Sequence, residues 1–172
     1  MTIERRKILK IANELIGAPS VKYLHGHPEL GKLPGRGFDC SGFVHYVLER
    51  AGLEIPDYIR ADGKRRPIRH ANEFWENYGL QTSLPLPGDL IFFSKNGDFV
   101  THVGIFIGSN QIIHSPGKDG KLVERIKIRK AYPKPKLNDA KFRIMHKNRP
   151  VGFKSPEKAA LKPNYRYGER LV

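Results

Sequence analysis

Leu86-Pro87-Gly88-Asp89-Leu90-Ile91-Phe92-Phe93, then Thr101-His102-Val103-Gly104-Ile105-Phe106-Ile107-Gly108, then Gln111-Ile112-Ile113-His114, form the stretch on which the fold turns. Leu86–Asp89 carries the Pro-Gly chemistry of a turn, and Leu90–Phe93 is a short apolar strand. Val103–Ile107 is a second strand, closed by Gly108-Ser109-Asn110, and Gln111–His114 a third, closed by Pro116-Gly117. Outward toward the C-terminus, Leu122–Ile128 predicts a fourth strand and Phe142–Met145 a fifth. Turns this short join antiparallel neighbours.

Toward the N-terminus the period changes. Ile3, Ile8, Ile11, Ala12, Leu15 and Ile16 recur at helical spacing among basic residues, and Gly17 with Pro19 ends the run. Residues 17–37 carry Gly26, Pro28, Gly31, Pro34, Gly35 and Gly37 and read as loop. A second helix is predicted from Cys40 to about Ala51. Asp39 is its N-cap, Phe43, Val44, Val47, Leu48 and Ala51 its apolar stripe, and Gly52 its stop. Residues 54–69 read as loop and 70–78 as a short helix ended by Gly79. Helices first and strands afterwards predict an α+β domain with the helices packed on an antiparallel sheet of about five strands.

The chain has 172 residues, 39% hydrophobic and 28% charged, enough for one buried core. The net charge of +14 is uneven: residues 129–172 hold 13 Lys/Arg against 3 Asp/Glu. The expected division is a domain over 1–146 and a basic extension over 147–172, the latter draped on the domain or partly disordered. Such a charge suits an anionic partner. No run approaches the roughly 18 apolar residues that cross a membrane, and the charged Met1–Lys7 segment is not followed by a secretory apolar core.

There is one cysteine, so an intrachain disulfide is excluded. A lone cysteine is most often a small buried apolar residue. Cys40 has a more pointed context, the first turn of a predicted helix within Gly37-Phe38-Asp39-Cys40-Ser41-Gly42. Free backbone N–H groups and the helix dipole there favour a thiolate and can also donate to an oxyanion. A thiol nucleophile needs a base, for which histidine is the usual choice. His102 opens one strand and His114 ends the next, so one ring can orient the other. Any single such histidine is more often just satisfied at a strand end. His45 falls five residues past Cys40 on the helix and should point away from the thiol. His25 and His27, with Asp39 or His102, match no standard zinc spacing, so no metal site is assigned.

Three segments together carry a resemblance: Gly37–Val44, Leu86–Phe93, and Thr101–Gly108 followed by Ile112-Ile113-His114-Ser115. In this order, over residues 37–115, they resemble the NlpC-type family of papain-like cysteine peptidases. The resemblance implies a papain-like fold and hydrolysis of an amide bond in bacterial peptidoglycan stem peptides, such as that between D-glutamate and a diamino acid. It implies Cys40 as nucleophile, His102 as base and His114 as the polar residue that orients it, with no cofactor. Tyr23-Leu24-His25-Gly26 is similar to the family's Tyr-x-x-Gly-Gly segment, with His27 in place of the second glycine; Tyr23 and the Cys40 N–H are the implied oxyanion donors. Asp39, Ser41, Gly42 and Thr101 are the expected substrate contacts. The site of action implied is the cell envelope or periplasm, reached by an export route the sequence leaves open, with cytoplasmic storage before delivery as one option. The basic extension would be drawn to the anionic envelope surface. Two rival readings stand beside this one. The first is a transferase, deamidase or thioesterase on the same scaffold, acting on protein or lipid. The second is a non-enzymatic nucleic-acid-binding module, which leaves Cys40, His102 and His114 unexplained.

Overall fold

The computed structural model describes residues 1–23, 31–60, 62–82, 84–94 and 99–128, and the backbone of 149–155. In chain order the elements are α1 (Ile3–Glu14), β1 (Pro19–Ser20), β2 (Lys32–Leu33), β3 (Gly37–Phe38) and α2 (Cys40–Arg50). There follow β4 (Asp57–Ile59), β5 (Arg65–Pro67), α3 (Ala71–Asn77), β6 (Leu80–Thr82), β7 (Leu90–Ser94) and β8 (Val100–Gly108). The last are β9 (Gln111–His114), β10 (Lys121–Leu122), β11 (Glu124–Lys127) and β12 (Arg149–Ser155). The predicted helices are all present. Thr2 caps α1 by accepting from the Arg5 N–H at 3.3 Å, and Asp39 caps α2 as its side-chain chemistry requires.

The main sheet has six strands in the order β11-β9-β8-β7-β12-β6, every pairing antiparallel. Phe43, Val44, Val47 and Leu48 of α2 pack on one face of it, against Phe92, Val103 and Ile105. The intervening residues Ile91, Phe93, Phe106 and Ile112 form a second cluster. Residues 90–93 are therefore buried on both faces, which is why they read as an unbroken apolar run.

The sheet differs from the sequence expectation in three ways. Leu122–Ile128 is not one strand. The chain is divided at the buried Val123, whose N–H donates to the Ala18 carbonyl (2.8 Å) and whose carbonyl accepts from Gly17 (2.9 Å). Before that point β10 pairs with β1 in a small second sheet, and after it β11 pairs with β9. Arg149–Ser155, assigned by composition to the extension, is a strand between β7 and β6. The Val151/Phe153 alternation is the only strand signal there, and Lys, Arg and Pro outweigh it. Residues 57–67, expected as loop, hold the hairpin β4–β5. The expected strand Phe142–Met145 lies outside the described residues, as do His25, His27 and His146.

One buried ion pair fixes α1 to the turn that leads into β7. Arg5 reaches Asp89 at 2.6 Å, and its other terminal nitrogen donates to the Leu86 and Pro87 carbonyls at 3.2 and 2.9 Å. Asp89 also accepts from the Leu86 N–H at 2.8 Å. Removing one partner strands a buried charge, which typically costs 3–5 kcal/mol. Asp89→Ala should lower the unfolding free energy by about 3–5 kcal/mol in urea titrations; a loss under about 1 kcal/mol would show that the pair is not holding the turn.

Candidate active site

Cys40 is the first residue of α2. The helix start is held from below by Asp39, whose carboxylate accepts from the Gly42 N–H (2.8 Å), the Ser41 hydroxyl (3.1 Å) and Arg69 (2.9 Å from one guanidinium nitrogen, with a second contact from the other). Arg69 also donates to Ser41 Oγ at 3.0 Å. Asp39, Ser41 and Arg69 are all almost fully buried. Gly42 lies so close to the Gly31 carbonyl that a Cβ would sit 1.9 Å from its oxygen. Asp39 and Ser41, two of the expected substrate contacts, are thus buried and brace the first turn of α2, while the backbone of Gly42 packs against that of Gly31. Thr101 is exposed, at the edge beside His102.

His102 and His114 come together as the hairpin reading predicts. His102 Nε2 lies 2.7 Å from His114 Nδ1, with the rings perpendicular and their centroids 4.9 Å apart. Ile105 pairs with Ile113, which sets Gly104 opposite His114 and makes His102 its diagonal neighbour. A Cβ on Gly104 would stand 3.1 Å from the His114 Cβ, so glycine there gives the second ring its place. The backbone N–H groups of Ser41 and of Val103, the residue after His102, lie near enough to the Cys40 sulfur to favour its thiolate. Cys40 and His102 are half-buried, His114 buried.

The electrostatics reverse one expectation. Burial, followed by the nearby Asp39 carboxylate, pushes the Cys40 thiol up to about 11, against the smaller opposing effects of the two N–H donors and Arg69. Burial, with His114 beside it, lowers His102 to about 3, and burial alone lowers His114 to about 4. At Cys40 burial outweighs the helix start and favours the thiol, and at His102 and His114 it favours the neutral imidazole.

Tyr23 lies against the segment that precedes α3. Its hydroxyl is 3.2 Å from His70 Nε2, and the Arg69 guanidinium lies over its ring at 4.8 Å. Its closest described neighbours thus belong to the segment that also carries the Asp39 partner. Arg69 and His70 were missed by sequence reasoning. Arg69 ends a basic, Pro-containing segment that reads as loop, and only the tertiary pairing marks it as buried; His70 opens the predicted helix, and its contact with Tyr23 has no signal in the sequence. Ser20 and Ser115 were missed as well. Their hydroxyls lie 2.8 Å apart; Ser115 donates to the Phe38 carbonyl, and Ser20 accepts from Gly117 and Lys118. They hold the 115–118 turn against the strand that delivers Cys40, with the Gly117 Cβ position 3.8 Å from the Cys40 nitrogen. Among the described residues, no group of three or more His, Cys, Asp and Glu is placed to hold a metal ion.

A thiol titrating near 11 is only roughly one part in 10,000 thiolate at neutral pH. Alkylation of Cys40 by iodoacetamide should therefore be slow at neutral pH and rise about tenfold per pH unit above it. A fast rate that stays flat down to about pH 5 would establish a resting ion pair instead. The imidazoles set a second expectation. Both titrate below their ordinary 6.5 in the folded chain, so the unfolded chain binds protons first as the pH falls. Their contribution is complete above about 6.5 and is lost toward pH 4, by about 1.4 kcal/mol per pH unit for each histidine. Urea unfolding of the wild type and His114→Gln across that window should show the shallower slope in the variant; equal slopes would overturn the assignment.

Comparison with known proteins places the chain in a family. Residues 20–141 match the model of the NlpC/P60 family. The gamma-DL-glutamyl hydrolase of Bacillus subtilis (strain 168) is 29% identical over 127 residues, which cover 70% of this chain and 25% of that protein. The gamma-D-glutamyl-L-lysine dipeptidyl-peptidase of the same organism is 33% identical over 100 residues, 55% of this chain and 28% of that protein. The chain thus matches little more than a quarter of the length of either. The crystal structure of the NlpC/p60 domain of the peptidoglycan hydrolase SagA superposes with a TM-score of 0.54 at 27% identity, over 88% of this chain and 97% of that one.

Proposed function

The chain belongs to the NlpC/P60 family of peptidoglycan hydrolases with a papain-like α+β fold, and on that premise we propose that it cleaves an amide bond of the peptidoglycan stem peptide through a thioester on Cys40. The observation that carries this reading is the 2.7 Å contact between His102 Nε2 and His114 Nδ1, made one residue from Val103, whose backbone N–H favours the Cys40 thiolate. With Nε2 committed to His114, His102 Nδ1 is the nitrogen left for the thiol proton.

In this reading the proton moves as the sulfur attacks, because neither partner is charged at rest. Cys40 Sγ bonds to the carbonyl carbon while His102 takes its proton. The tetrahedral oxyanion is met by the Cys40 N–H at the open end of α2 and by the Tyr23 hydroxyl. His102 then protonates the leaving amine, the C–N bond breaks, and the acyl group remains on sulfur. Water, giving a proton to His102, attacks the thioester; the acid departs and the thiol is restored. The proposed scissile bond is the one between D-glutamate and a diamino acid, supported by the γ-glutamyl cleavage in the names of both relatives. The place of action is the cell envelope.

Incubation with purified muropeptides, read by mass spectrometry for new amine-terminated fragments, tests the reading. The wild type should release them and Cys40→Ala should not. Tyr23→Phe should retain substrate binding but turn over about 100-fold more slowly. Binding of muropeptides by wild type and Cys40→Ala alike, with no product from either, would make the protein a binding module on the same scaffold.

A further inference from the structure

If His102 receives the thiol proton at Nδ1, its Nε2 keeps a proton and donates it to His114 Nδ1 across the 2.7 Å contact. His114 Nδ1 is then an acceptor, so the neutral His114 ring must carry its own proton on Nε2. That nitrogen is buried without a hydrogen-bond partner. A buried N–H left unpaired is costly, and a specific one calls for an explanation.

The atom that faces it is a carboxylate oxygen: Glu124 Oε1 lies 3.6 Å from His114 Nε2. The approach is built into the sheet, because Glu124 is the direct cross-strand partner of His114 in the β9–β11 pair. The Glu124 side chain is 52% exposed and has room to turn; at 3.6 Å it is one small rotation short of a hydrogen bond. The division of the chain at Val123 is what moves Glu124 from the small sheet to the main one, beside β9.

The geometry points to Glu124 as a positioning residue of the catalytic relay, accepting the Nε2 proton of His114 and thereby holding both imidazoles in the tautomers the reaction needs. This rests on the hydrolase reading above. The relay runs Cys40, His102, His114, Glu124. When His102 becomes an imidazolium, His114 remains neutral between that cation and the Glu124 anion, so the carboxylate stabilises the charge that appears in the transition state. No atom is transferred to Glu124. Its contribution belongs to turnover and not to substrate affinity.

Two variants and two readouts test it. Glu124→Ala removes the acceptor; Glu124→Gln keeps an acceptor oxygen and removes the charge. In ¹⁵N-labelled wild type, imidazole spectra should place the His114 proton on Nε2 with slow solvent exchange. In Glu124→Ala the exchange should accelerate and the His114 ¹⁵N shifts should move toward a tautomer mixture, with Glu124→Gln between the two. With muropeptide substrate, kcat should fall about 10- to 100-fold in Glu124→Ala at unchanged KM, and less in Glu124→Gln. Unchanged His114 spectra and unchanged kcat in Glu124→Ala would overturn the assignment. If wild type cleaves no muropeptide, the hydrolase reading falls, and the imidazole spectra still decide whether Glu124 bonds His114.

Discussion

The site depends first on the Asp39 carboxylate. It sits at the boundary between loop and helix and ties three things together: the first turn of α2 through the Gly42 N–H, the Ser41 hydroxyl, and the Arg69 guanidinium that arrives from the segment before α3. A helix start has N–H groups that its own ladder leaves unmet, and a capping side chain decides where the helix begins. Beginning one residue later would carry Cys40 off the end of α2; beginning earlier would turn its sulfur away from β8. Arg69 supplies the counter-charge to a carboxylate that has almost no access to water.

The same burial shapes the chemistry. A helix amino end and two N–H donors favour a thiolate, yet desolvation and the neighbouring carboxylate act more strongly on Cys40. The capping residue that positions Cys40 therefore also holds back its ionisation. The imidazoles respond to the same dry surroundings in the opposite sense, since for them the charged form is the acid. On the proposed reading, reactivity then belongs to the complex with substrate, in which a developing oxyanion and imidazolium offset each other, more than to the free protein.

Much of this was legible in the sequence, because it is local. Helical periodicity and Asp39 gave α2 to within a residue, and the apolar runs gave β7, β8 and β9 with His102 and His114 near enough to meet. What escaped reading is long-range. Residues 122–128 carry one continuous strand pattern, and only the bonds between Val123 and residues 17–18 reveal that two sheets share it. Arg69 has the composition of its solvated neighbours, and its partner lies 30 residues away. Asp39, Ser41 and Gly42 stand out by motif, but the motif does not reveal that Asp39 and Ser41 are buried against Arg69. Strand β12 was hidden because pairing on both edges outweighs the polar composition that argued against it.

That last strand bears on how the molecule comes into being. β6 reaches the main sheet only by pairing with β12, although β7, its neighbour but one in the sheet, follows it closely in sequence. A nascent chain that has emerged through β9 can zip β7, β8 and β9 as a local meander, but the slot between Leu80–Thr82 and Leu90–Ser94 stays empty until residue 155 has left the ribosome. Closing it joins segments separated by some sixty residues or more, the slow, non-local kind of step in folding. The His102–His114 hairpin and the completed sheet are thus assembled on different schedules, and the rim strand β6 is last to lock.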